Sequence, residues 1–216
     1  MKYKLALFDM DGTVLDTLQD LADSTNAVLM RHGYPTHDIE AVRRFVGNGA
    51  KRLIENAVPV GTDAAKIDTV LGDFKKYYGE HSADATRPYD GILEMLQRLR
   101  AAGVKTAVVS NKPDFAVRSL SARYFGELFD ISVGDREGVR KKPAPDSVFE
   151  VMRQLGCTPE ESVYIGDSDV DVQTAQNAGI DGIFVDWGFR PAALLRESGA
   201  EIIVSHPAEI AALILK

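Results

Sequence analysis

The feature that most constrains this chain is the stretch Leu5-Ala6-Leu7-Phe8-Asp9-Met10-Asp11-Gly12-Thr13-Val14-Leu15-Asp16-Thr17. Its first four residues are all apolar, as a parallel strand buried on both faces requires. Two carboxylates two residues apart follow at once, then Gly12 and Thr13. Open α/β sheets do their chemistry beyond the carboxyl ends of their strands, which is where Asp9 would stand. Asp11 reaches the same pocket once the chain turns at Gly12. Carboxylates this close repel each other, and a hard divalent cation holds both ionised. Taken alone, the same residues also read as a strand end followed by an Asx turn.

After Asp16 the period changes. Leu18, Leu21, Ala22, Thr25, Val28 and Leu29 share one helix face, which ends near Gly33 with Pro35 beyond it. A short helix from Asp38 to Phe45, a Gly47-Asn48-Gly49 turn and a helix through Leu53, Ile54 and Ala57 come next. A further helix carries Ile67, Val70, Leu71, Phe74, Tyr77 and Tyr78. No strand pattern occurs between Asp16 and about Ala85. From Pro88 onward apolar strands alternate with helices: Val104 to Val109, Phe129 to Val133, Ser162 to Ile165, Ile183 to Val185 and Glu201 to Val204. That rhythm predicts an α/β domain with a doubly wound parallel sheet. Residues 16–85 then form an all-helical insert within a core of residues 1–15 and 86–216.

A parallel sheet lines up its carboxyl ends along one edge. Asp9 and Asp11 are therefore expected to meet Ser110-Asn111 and Asp167 there, with Lys142 arriving from a loop. Carboxylates, a hydroxyl donor and a lysine suit phosphoryl transfer, in which charge must be held and a nucleophile positioned. Each stretch has a plainer reading. Ser110-Asn111 can cap the helix after Pro113. Lys142-Pro143 can be a solvated turn beside Arg140 and Lys141. Gly166-Asp167-Ser168 with Asp171 can be a helix start whose acids suit the dipole.

Together the four stretches resemble, in order and in placement, the four motifs of the haloacid dehalogenase superfamily of phosphatases, over essentially the whole chain. They are Asp-Met-Asp-Gly-Thr-Val-Leu-Asp-Thr from Asp9, Ser110-Asn111, Lys142-Pro143, and Gly166-Asp167-Ser168-Asp169-Val170-Asp171. The resemblance implies a Rossmann-like core with a helical cap inserted after the first motif. It makes Asp9 the nucleophile that forms an aspartyl-phosphate. Asp11 becomes the acid for the leaving oxygen and the base for water, with its main-chain carbonyl on the metal. Ser110 and Lys142 bind phosphate, Asp9, Asp11 and Asp167 hold Mg²⁺, and Asp171 stands behind them. Gly12, Thr13 and Asn111 complete the substrate-binding set of the core.

Two cap stretches, Asp16-Thr17-Leu18-Gln19-Asp20-Leu21-Ala22 and Phe45-Val46-Gly47-Asn48-Gly49-Ala50, look like those of bacterial phosphoglycolate phosphatases, and Trp187-Gly188-Phe189 suits the same group. The leading substrate is then 2-phosphoglycolate. Gly47, Asn48 and Gly49 either bring backbone N–H groups and a helix N-terminus toward its carboxylate or form an ordinary turn. Pyrophosphatase, 5′-nucleotidase and sugar-phosphate phosphatase activities stay open. A β-phosphoglucomutase-type isomerase fits less well, because Leu21 stands where that family has a histidine. A Schiff-base lysine of the phosphonoacetaldehyde hydrolase type would fall at Lys51, which is expected to be a surface residue.

Composition narrows the partners. A formal charge of −7 offers no basic surplus to a nucleic acid or an acidic membrane, whereas one small phosphorylated metabolite needs only a local lysine and a metal. The lone cysteine, Cys157, excludes an intrachain disulfide and a cysteine zinc site and is expected to be a small buried or half-buried residue near a helix end rather than a nucleophile. His32, His37, His81 and His206 lack ligand spacing and are expected on the surface. With no signal sequence or spanning run, the expectation is a cytoplasmic enzyme, monomeric or homodimeric.

Overall fold

The computed structural model describes residues 2–216. Its sheet is built from β1 (Leu5–Phe8), β4 (Lys105–Pro113), β5 (Ile131–Asp135), β6 (Ser162–Gly166), β7 (Asp181–Val185) and β8 (Ile203–Val204). The order is β5-β4-β1-β6-β7-β8 and every pairing is parallel. The apolar stretch at the N-terminus is thus a central strand, with Phe8 level with Val108 on one side and Ile165 on the other.

Alternate residues of β1 feed two cores, as the two-residue repeat of a strand dictates. Ala6 and Phe8 pack with α5 (Ile92–Ala101), α6 (Asp114–Phe125) and α10 (Pro207–Ile214), through residues such as Leu96, Val117 and Ile210. Leu5 and Leu7 pack with α7 (Asp146–Leu155), α8 (Asp169–Ala178) and α9 (Ala192–Glu197), through Val151, Val172 and Leu195. The doubly wound α/β expectation is met.

The insert consists of α1 (Leu18–Arg31), α2 (Ile39–Phe45), α3 (Gly49–Ala57) and α4 (Ala64–His81). These helices enclose a separate apolar cluster that includes Leu29, Ile54, Val70 and Phe74, and two core residues, Ala116 and Phe189, join it. The chain leaves and re-enters the core through an antiparallel pair, β2 (Leu15–Asp16) with β3 (Arg87–Pro88). Asp20, buried on α1, accepts hydrogen bonds from the Ala85 and Thr86 N–H groups at 2.8 and 2.9 Å, which ties the returning strand to the outgoing helix.

Several expectations shift. Phe129 precedes its strand instead of opening it, packing edge-on against Phe8 and Phe125 at 5.9 and 5.1 Å. The last strand is only Ile203–Val204. Helices α9 and α10 add to the predicted elements. Of the histidines only His206 is exposed, whereas His32, His37 and His81 are half-buried. His32 is bonded to Asp73, His37 to the Ala57 carbonyl and His81 to Asp84. Cys157 is half-buried, just past the glycine that ends α7. Lys51 is exposed and paired with Asp68 at 3.1 Å. No helix among the described residues is long and apolar enough to cross a membrane.

Candidate active site

The carboxyl edge of the sheet collects the motif residues. Asp9 follows β1 directly and is 9% exposed. Its Oδ1 accepts from the Met10 N–H at 2.7 Å and lies 3.0 Å from Lys142 Nζ. Lys142 is buried, and its ammonium also donates to Asp171 Oδ1 at 2.7 Å and to the Tyr164 hydroxyl at 2.9 Å. All three ammonium protons are therefore directed, which rules out the solvated-turn reading of Lys142-Pro143. Tyr164 in turn donates to the Val109 carbonyl at 2.8 Å, anchoring the assembly to β4.

Asp167 leaves β6 as Asp9 leaves β1. Its Oδ1 accepts from Thr13 Oγ1 at 2.9 Å and its Oδ2 from the Phe189 N–H at 2.7 Å. Gly12 lies against the same carboxylate with φ +82, so close that a Cβ there would fall 2.3 Å from Asp167 Oδ2. Gly12 and Thr13 thus support Asp167 rather than line the pocket. Asp171 closes a capping box on α8: its Oδ2 accepts from the N–H groups of Asp167 and Ser168 and from the Ser168 hydroxyl. The helix-start reading of this stretch therefore holds.

Carboxylate oxygens of Asp9, Asp167 and Asp171 all lie within 4.8 Å of one another. Asp171 accepts from four donors, whereas Asp167 accepts one on each oxygen and the Asp9 contacts fall on Oδ1, so Asp9 and Asp167 keep the greater capacity for a cation. Without a cation the cluster holds more buried negative charge than Lys142 offsets. Burial pushes Asp9 up to about 6, with Lys142 pulling it down and Asp171 and Asp11 pushing further. Burial pushes Asp167 up to about 8, reinforced by Asp171 and Asp9. Burial disfavours the Lys142 ammonium, but Asp171 and Asp9 outweigh it and hold its pKa well above the usual lysine range. An all-oxygen, over-anionic, buried set suits a small hard divalent cation.

The Asp11 carboxylate stands apart from this cluster. Its Oδ1 accepts from Thr17 Oγ1 at 2.8 Å and from Lys112 Nζ at 2.7 Å. The Asp11 side chain is thus held by Thr17 and Lys112, outside the group of Asp9, Asp167 and Asp171.

Ser110, Asn111 and Lys112 reach the site because β4 loses register with β5. Val109 pairs with Val133, but the next pairing is Pro113 with Asp135, so four residues on one strand match two on the other. The extra length bows Ser110 to Lys112 toward the pocket. Neither Ser110 nor Asn111 caps α6, which has no side-chain cap. Asn111 Nδ2 instead donates to the carbonyls of Lys142 at 3.0 Å and of Gly47 at 3.2 Å, joining the core to the cap.

Other ties to the cap were invisible in the sequence. Lys141 Nζ donates to the Asn48 carbonyl at 2.7 Å, and Arg190 donates to the carbonyls of Arg43 and Val46. Gly47 and Gly49 line the pocket together with Leu21, Leu53, Phe74 and Tyr78, whereas the Asn48 side chain is exposed. Asn48 makes no side-chain cap on α3, so that helix presents an uncapped first turn near the pocket. Lys112, Tyr78 and Arg190 are polar residues lining the pocket that the sequence did not mark as site residues. The only signal for Lys112 was its place in the polar Ser110-to-Pro113 run between an apolar strand and a helix.

A parallel sheet whose first strand leads into Asp9, with a buried lysine, a second acidic strand end and a helical insert after the first strand, defines a class of hydrolases. Residues 6–185 match the haloacid dehalogenase-like hydrolases, and the chain belongs to that family. Among its relatives, N-acetylmuramic acid 6-phosphate phosphatase of Pseudomonas aeruginosa is 35% identical over 97% of this chain and 94% of its own. Phosphoglycolate phosphatase of Pseudomonas putida is 36% identical over 86% of this chain and 70% of its own. A crystal structure from Lactobacillus delbrueckii subsp. bulgaricus, assigned as a phosphoglycolate phosphatase, superposes with a TM-score of 0.93 at 37% identity, covering 99% of each chain.

Proposed function

We propose that this protein is a Mg²⁺-dependent phosphatase that hydrolyses a small phosphomonoester through an aspartyl-phosphate on Asp9, with 2-phosphoglycolate the leading substrate. The observation that carries the chemistry is the convergence of Asp9, Lys142 and Asp167 beneath a docked cap, with Asp9 and Lys142 3.0 Å apart. Asp9, Asp167 and the Asp11 carbonyl would hold Mg²⁺, which would supply charge neutralisation for the carboxylates and the phosphate. Lys142 exchanges its bond to Asp9 for a non-bridging phosphate oxygen, and Ser110 donates to another. The freed Asp9 carboxylate attacks phosphorus, and Asp11 gives its proton to the leaving oxygen. Asp11 then takes a proton from the water that releases phosphate. The cap excludes bulk water during both steps. Residues 1–15 and 86–216 act as the catalytic core and 16–85 as the cap in this reading.

Substrate choice rests on the leaving-group side. The uncapped first turn of α3 favours an anionic leaving group such as a carboxylate. A second reading, N-acetylmuramic acid 6-phosphate, is supported by the relative of that name, which aligns along nearly the full length of both chains. Both candidates are phosphate esters of organic acids. Initial rates with Mg²⁺ on these two esters, sugar phosphates, a nucleotide, pyrophosphate and phosphonoacetaldehyde separate the readings. A kcat/KM preference for phosphoglycolate is expected. A preference for the muramic acid ester would move the assignment, and no phosphate release from any member would sink the phosphatase reading itself.

A further inference from the structure

One buried charge is left over by that mechanism. Lys112 has a side chain only 1% exposed, inside the bowed segment of β4. Its Nζ donates to Asp11 Oδ1 at 2.7 Å and to the Tyr78 hydroxyl at 2.5 Å, and it lies 4.6 Å from the centroid of the Tyr78 ring. Tyr78 belongs to α4, so this lysine joins the cap directly to a motif carboxylate. Burial works to neutralise Lys112, but Asp11 and Tyr78 outweigh it and keep the ammonium charged. Burial pushes the Tyr78 hydroxyl up to about 12, so it acts as a neutral phenol.

The second anchor of Asp11, the Thr17 hydroxyl, takes the same oxygen, Oδ1. Oδ2 is left as the oxygen that can gain and lose a proton. Oδ1 accepts hydrogen bonds whether Oδ2 is protonated or not, so the grip survives the proton transfer it serves. A carboxyl held at one oxygen by two donors has its other oxygen aimed, which is the positional requirement of general acid catalysis.

We propose that Lys112 and the cap residue Tyr78 are a positioning pair that orients Asp11 for proton transfer, so that the acid is set only when α4 is docked. The inference rests on the reading of Asp11 as the acid–base residue. In the first half-reaction an Asp9 oxygen bonds to phosphorus, the bond from phosphorus to the leaving oxygen breaks, and the Asp11 Oδ2 proton passes to that oxygen. In the second, water oxygen bonds to phosphorus, its proton passes to Asp11 Oδ2, and the bond from phosphorus to Asp9 breaks to regenerate the carboxylate and release inorganic phosphate.

The test exploits leaving groups that do and do not need the proton. Single-turnover release of the alcohol from 2-phosphoglycolate and of the phenol from p-nitrophenyl phosphate is measured for the full chain with Mg²⁺. The variants are Lys112→Met, Tyr78→Phe and Asp11→Asn. The expected result is that Lys112→Met slows alkyl release about 100-fold and Tyr78→Phe about 10-fold, while aryl release stays within about 3-fold of the parent. Equal losses on both substrates, or no loss on either, would overturn the pair's role. Tyr78→Phe keeps the ring and its packing, so it answers the question even if Lys112→Met folds poorly. If Asp11→Asn itself shows no alkyl–aryl split, the reading of Asp11 falls and takes the pair with it. A split for Asp11→Asn without one for the other two variants rejects the pair alone.

Discussion

Lys142 Nζ sits between two carboxylates, 3.0 Å from Asp9 Oδ1 and 2.7 Å from Asp171 Oδ1. The two contacts do different work. Asp171 has all its remaining capacity bonded to backbone and Ser168, so it fixes the lysine. Asp9 is the partner that a phosphate oxygen can displace. Lys142→Met should therefore lower kcat by about 10²–10³, the cost of removing one preorganised charged donor from a transition state. It should also leave Asp171 as an unpaired buried charge and cost about 3–5 kcal/mol of stability. Steady-state rates and chemical denaturation of the same variant check both effects. A variant that keeps near-parental kcat would remove Lys142 from the reaction.

Asp9→Asn should abolish turnover and leave the fold intact. The amide is isosteric and can still accept the Lys142 and Met10 donors through its oxygen, but it cannot attack phosphorus. Intact-mass measurement after acid quench should show a phosphoryl adduct on the parent protein and none on the variant. Appreciable turnover by Asp9→Asn would refute the nucleophile assignment.

The acidic cluster gives a pH dependence with a definite sign. In the metal-free protein Asp9 and Asp167 are pushed up to about 6 and about 8, above an unfolded carboxylate near 4. Between those values the native state binds more protons than the unfolded chain, so stability falls as pH rises. The contribution of these two groups is fully present below about pH 4 and is lost as pH climbs through about 6 and then about 8. Mg²⁺ reverses the penalty by favouring the ionised forms, and its binding releases protons. The rise in Tm on adding Mg²⁺ should accordingly be larger at pH 8 than at pH 5.5. An equal rise at both values would show that these carboxylates do not receive the ion.

Much of this arrangement was legible in the chain because its strands are buried on both faces. Leu5 to Phe8 and Val163 to Ile165 are continuous apolar runs with no competing period, and each ends in the carboxylate that the site uses. What the chain concealed depends on contacts between distant segments. Lys112 enters the site only because β4 loses register after Val109, and no local pattern announces such a break. Arg190 is 144 residues from the Val46 carbonyl it holds, so nothing in its neighbourhood marks it as a tie to the cap. Helix α10 went unread because Ile210 to Ile214 is apolar throughout, with little polar contrast to betray a 3.6-residue period.

Gly188 gives the sharpest check on how Asp167 is held. A Cβ at this position would fall 2.3 Å from Asp167 Cβ, 2.4 Å from its Oδ2 and 2.5 Å from the Gly12 carbonyl. Two of those contacts belong to a carboxylate already fixed by Thr13 and by the Phe189 N–H, and the third is backbone, so no flexible side chain can give way. Gly188→Ala must therefore shift the loop carrying Phe189 or turn Asp167 off its position. Overpacking of this kind costs about 1–3 kcal/mol, which a domain of this size should survive. Loss of orientation in a metal-binding carboxylate lowers affinity about 10–100-fold. The Mg²⁺ concentration for half-maximal activity should rise by that factor in Gly188→Ala, while circular dichroism stays native-like. If the Mg²⁺ requirement is unchanged and only stability drops, the Phe189 loop supports the fold without positioning Asp167 for the ion.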